Sequence, residues 1–181
     1  MYQNFDEVIF VMQAASFAKI NACLSKADWD ENSVRESLTS TDLSVGDVHF
    51  HRNDGKLEYA TFNCIASFAA NEIPGIVAPF FCSMYVEVAF DEKTNQYRTD
   101  GGCGPAGMIS PIDGETIYGV DGLYNEFRKD KPQLDISLFV SENFDFESLC
   151  GALGYGPVVC FNAEDIFYNK EELKEIGRAH V

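Results

Sequence analysis

One thiol and two imidazoles are the residues from which nucleophilic chemistry could be built in this chain. Cys103 lies within Gly101-Gly102-Cys103-Gly104-Pro105-Ala106-Gly107, a run whose glycines would let backbone approach a bound molecule closely. A cysteine held there serves as a nucleophile when a histidine takes its proton, and His49 and His51 are the candidate bases. Against this, the run offers no helix start and no basic neighbour to stabilise a thiolate, and nearby carboxylates raise a thiol pKa. The run lacks the lysine and the spacing of a phosphate cradle. A tight turn carrying an incidental cysteine is the competing reading, and the stronger one.

His49 and His51 also suggest a metal. Alternating side chains put both on one face of a strand, and Asn53-Asp54-Gly55 reads as the hairpin turn that follows. With Asp54-Gly55 at the turn centre, Glu58 falls opposite His51, and Cys64 falls further along on the same face. Two imidazoles, a carboxylate and a thiolate make a tetrahedral zinc set. The pattern is weak, because a one-residue slip in register sends Glu58 and Cys64 to the other face. A solvent-facing hairpin with a His–Glu cross-strand pair is the plainer reading. Asp28, Asp30 and Asn32 match the first ligands of a calcium loop. However, Ser33 replaces the turn glycine and Thr39 stands where a bidentate glutamate is needed, so the segment reads as a helix cap. No cofactor motif is found.

Charge says more than any motif. The 181 residues hold 29 acidic and 13 basic side chains, a formal net charge of −16. Such a surface repels phosphate backbones and anionic membranes and attracts basic protein surfaces. Direct nucleic-acid binding is therefore disfavoured. Between Lys131 and Lys170 no basic residue occurs, while Asp135, Glu142, Asp145, Glu147, Glu164 and Asp165 are acidic. A second such stretch, from Lys56 to Lys93, holds Glu58, Glu72, Glu87, Asp91 and Glu92.

The function expected from this is a small acidic protein-binding module that engages a basic surface, of the inhibitor or immunity type. Its contact acids would be Asp135, Glu142, Asp145, Glu147, Glu164 and Asp165. One alternative is a cysteine-dependent hydrolase or transferase using Cys103 with His49 or His51. Another is a structural or assembly subunit whose acidity serves only solubility.

Apolar residues make up 46% of the chain and aromatics 13%, enough for a packed core and too many for a disordered acidic chain. The apolar run Val8–Ala18 is interrupted by Gln13 and Ser16 and reads as too short for a membrane span. Asp6 and Glu7 precede it, the opposite of a secretory signal. Six dispersed cysteines without a CxxC pair then point to reduced thiols and a cytoplasmic location.

The elements expected to position these groups begin with a helix over 6–26 and a second opening at Asp28. Strands follow from Val45, over 57–68 and 84–90, with a short strand at 97–99 and a loop over 100–113. A helix over 121–129, a strand over 134–140, a helix from Phe146 to Leu153, a strand over 158–161 and a helix over 164–173 complete the chain. Hairpins mixed with helices argue for an α+β domain over 1–174, a mainly antiparallel sheet carrying about four helices. Glu175 to Val181 matches, after one base, the translated start of a common short-read sequencing adapter. Natural sequence is therefore expected to stop near Lys174, with an environmental read assembly as the source.

Overall fold

Apolar and polar residues alternate over Leu57–Phe68 and Phe80–Val88, and that period of two decides which side of the sheet is buried. Phe62, Cys64, Ala66 and Phe68 share one face with Phe80, Cys82, Met84 and Val86, and all are buried. The computed structural model describes residues 2–39, 42–118 and 136–154, and the chain divides into two units, Met1–Phe144 and Asp145–Val181.

The first unit opens with helices α1 (Tyr2–Leu24) and α2 (Glu31–Ser37). Six strands follow: β1 (Leu43–Val45), β2 (His49–Asn53), β3 (Lys56–Phe68), β4 (Phe80–Asp91), β5 (Gln96–Ile109) and β6 (Thr116–Tyr118). They form one antiparallel sheet in the order β1-β3-β4-β5-β6, with β2 also paired to β3. Asp54 and Gly55, at φ of 51° and 77°, make the β2–β3 turn where the Asn-Asp-Gly signal placed it. The α+β class and the antiparallel sheet are as expected; the described residues hold three α-helices rather than four.

Helix α1 packs along β3, β4 and β5. Every residue from Val8 to Ser16 is buried, including Gln13, and Ser16 Oγ donates back to the Met12 carbonyl at 2.7 Å. The apolar character runs further than the sequence reading allowed. Glu7–Leu24 is long and apolar enough to cross a membrane by length and composition, though here most of it is buried in the fold. Lys19 fastens the helix to the sheet end: its ammonium donates to the Ser67 carbonyl at 2.8 Å, pairs with Glu72 at 2.9 Å and lies 3.9 Å from the Phe68 ring centre. Asp30, not Asp28, caps α2, accepting the Ser33 N–H at 2.9 Å, while Ser33 Oγ accepts the Asp28 N–H.

Two expectations fail here. Residues 100–109 are strand, not loop. The glycines and proline that suggested a turn are strand irregularities: Gly104 and Pro105 form a bulge opposite Ser83, where a proline's missing N–H breaks no ladder. Gly101 has φ +150°, and a Cβ there would run into the Tyr85 carbonyl oxygen, so only glycine fits. The strand expected over 134–140 is a 3₁₀ turn at Ile136–Leu138 followed by a single bridge between Val140 and Ile76.

In the second unit α3 (Phe146–Ala152) is capped by Asp145 and ends before Gly154, at φ +97°. The elements expected over 121–129, 158–161 and 164–173, and the tail from Glu175, lie outside the described residues.

Candidate functional site

The face of the sheet turned away from α1 is open: Asn63, Ser67 and Glu87 are exposed, and so are Ile65 and Tyr85, at 42% and 49%. Register builds this surface in rows. His49 pairs with Thr61, Thr61 with Glu87, and Glu87 with Asp100, so four strands contribute one line of polar groups. The next row is Asn63, Tyr85 and Gly102.

Glu87 and Asp100 are the unusual pair. Like charges directly opposite one another on adjacent strands repel and destabilise a sheet. Asp100 accepts the Gly101 N–H at 2.7 Å, yet among the described residues neither carboxylate has a cationic partner. The sequence reading passed over this pair because it ended β5 at Thr99. Counting the hairpin register outward from Asp91 and Gln96 would have found it.

The zinc set does not assemble. A bulge between His51 and Arg52 makes Glu58 the extra residue of β3 and puts Tyr59 opposite His51. The two rings stack at 4.2 Å, and His51 Nε2 lies 3.4 Å from Thr61 Oγ1. Cys64 is on the buried face, on the far side of the sheet from the histidines. Burial pushes its thiol up to about 11, and does the same to Cys82. Both are protonated core groups at neutral pH. Among the described residues no group of three potential ligands is arranged for a metal.

Nor does a cysteine–histidine pair form. Cys103 is in β5, paired with Met84, and the histidines are in β2. Three strand spacings separate them, about 14 Å of sheet, against the roughly 3 Å a proton transfer needs.

Of the six acids expected to contact a partner, Asp135, Glu164 and Asp165 lie outside the described residues. Glu142 and Glu147 are exposed. Asp145 is occupied as the α3 cap: Ser148 Oγ donates to it at 2.8 Å, and this bond, with the Ser148 N–H, holds its carboxyl below the usual carboxylate range. Comparison with protein-family models, with curated proteins and with solved structures found no match.

Proposed function

We propose that this chain works by binding a basic protein surface, and that the open face of the sheet is its contact. The observation that carries this reading is the Glu87–Asp100 pair, without an ion partner among the described residues, beside the exposed Tyr85. A lysine or arginine from a partner is attracted by both carboxylates at once, and the two attractions offset the repulsion between them. Tyr85 supplies the large, stiff apolar anchor typical of an interface centre, and Ile65 extends the apolar area. The net charge of −16 steers a basic partner toward the molecule from a distance. Glu142 and Glu147 are further exposed acids; Asp145, committed to its helix, is not among the contacts.

The test is capture of basic proteins from a lysate at low salt, identification of the bound species, and measurement of its affinity for defined variants. Replacing Glu87 by Gln and Asp100 by Asn together is expected to weaken binding at least about tenfold. Glu36→Gln, an acid on α2 outside this face, is expected to leave it unchanged. Equal affinity for the double variant and the unmodified chain would remove the open face from consideration.

A further inference from the structure

Between the last turn of α1, the link from α1 to α2 and the tip of the β4–β5 hairpin lies a groove of about 570 Å³, a size common for ligand sites. Three aromatic side chains line it: Trp29, Phe90 and Tyr97. Tyr97 meets Trp29 edge-on at 5.9 Å and lies tilted to Phe90 at 5.1 Å, so the rings form one continuous wall. Hydrogen bonds to main chain fix that wall. The Tyr97 hydroxyl donates to the Ala27 carbonyl at 2.7 Å. The ladder between β3 and β4 stops at Ala60 and Val88, and where the strands have parted Trp29 Nε1 donates to the Leu57 carbonyl at 3.1 Å.

The polar part of the lining is mostly uncharged. Asn21, Asn95 and Gln96 bring carboxamides, Ser25 a hydroxyl and Asp28 the one carboxylate; among the described residues no lysine, arginine or histidine lines the groove. Thr99 Oγ1 donates to Asn21 Oδ1 at 3.0 Å, which leaves the Asn21 amide its N–H donors. Ser25 Oγ donates to the Ala22 carbonyl at 2.8 Å, which leaves its lone pairs to accept. The Asn95 and Gln96 carboxamides bond no other described group and keep both donors and acceptors.

This lining selects a class of ligand. An anion finds no counter-charge here, and the net charge of −16 repels it. An organic cation suits Asp28 and the rings, but the amide N–H groups have nothing to give it. Hydroxyl groups donate to Asp28 and Ser25 and accept from the amides, and vicinal hydroxyls match the paired atoms of a carboxamide or carboxylate. The C–H face of a sugar ring packs against aromatic carbon. We propose that this groove binds a neutral saccharide. The site shares no residue with the open face of the sheet, so either proposal can fail alone.

The chain has a single tryptophan, so its emission reports directly on this groove. A printed array of neutral, sulfated and sialylated glycans is probed with the intact protein, and the glycans retained are titrated as free oligosaccharides. The proposal expects retention of neutral glycans that change Trp29 emission saturably. Asn95→Gly with Gln96→Ala is expected to weaken them at least about tenfold, two hydrogen-bonding side chains being lost. Glycine suits the backbone at Asn95, where φ is 55°, and circular dichroism establishes that the double variant is folded. Glu87→Gln is expected to leave binding unchanged. Retention of no glycan, or only of sulfated or sialylated ones, overturns the proposal. So do neutral glycans that leave Trp29 emission unchanged or bind the double variant equally well. Saturation by tetramethylammonium or by N-acetyltriglycine amide, but by no glycan, assigns the groove to a cation or a peptide instead and overturns it too.

Discussion

Glu87 on β4 and Asp100 on β5 are cross-strand partners, two carboxylates sharing one ladder position on the open face of the sheet. A pair of like charges so placed costs stability in the free protein. Glu87→Gln is therefore expected to stabilise the chain by about 0.5 kcal/mol, read as a rise in the urea midpoint. The gain shrinks at high salt, where the repulsion is screened. A fall in the midpoint would mean that Glu87 supports the fold, contrary to the geometry.

Two glycines separate steric need from conformational freedom. At Gly101 a Cβ meets the Tyr85 carbonyl, so Gly101→Ala is expected to cost about 3 kcal/mol or more and to disturb the β4–β5 pairing. At Gly151, inside α3, a Cβ meets nothing within 4 Å. Gly151→Ala is expected to stabilise α3 by up to about 1 kcal/mol. Denaturant titration of the first and hydrogen exchange across α3 for the second check the pair.

The Lys19–Glu72 contact predicts an acid limb. Burial pushes the Glu72 carboxyl up, but the Lys19 ammonium and the Ala69 N–H outweigh it and hold the pKa below its ordinary value. A lowered folded-state pKa stabilises above the ordinary carboxylate range, and that contribution is lost as the pH falls through the lowered value. Lys19→Met is expected to cost about 1 kcal/mol at neutral pH, the pair being partly exposed, and to flatten this part of the acid limb. Urea midpoints taken between neutral and acid pH measure both effects.

Cys64, Cys82 and Cys150 are buried, and the first two have thiols raised to about 11. Iodoacetamide at neutral pH is expected to leave all three unmodified in the native protein and to label them on unfolding. Cys23, less deeply placed on α1, is expected to react sooner. Peptide mapping by mass spectrometry gives the order, and early labelling of Cys64 would contradict its place in the core.

Where local chemistry is strong, the sequence is a good guide. Asp54-Gly55 set the β2–β3 turn, the spacing of Phe146, Leu149 and Cys150 set α3, and the alternation from Leu57 set β3. Where a residue type has two uses, reading fails. Gly and Pro over 101–107 suggested a turn, yet β4 supplies a partner whose carbonyl lies where a side chain would go. The alternation ending at Val140 suggested a strand, but that segment gains only one bridge, to Ile76.

The candidate sites show the same division more sharply. His49 and His51 do share a face, as their spacing requires, but one bulge at Glu58 replaced their expected carboxylate with Tyr59. The sequence by itself determined the α+β class, the heavy negative charge and the turn that starts the main hairpin, because these follow from composition and from bonds between near neighbours. Tertiary structure alone decided that Glu87 faces Asp100 and that β3 parts from β4 around Trp29. Both depend on register between strands distant in sequence, where a shift of one residue moves every side chain to the other face.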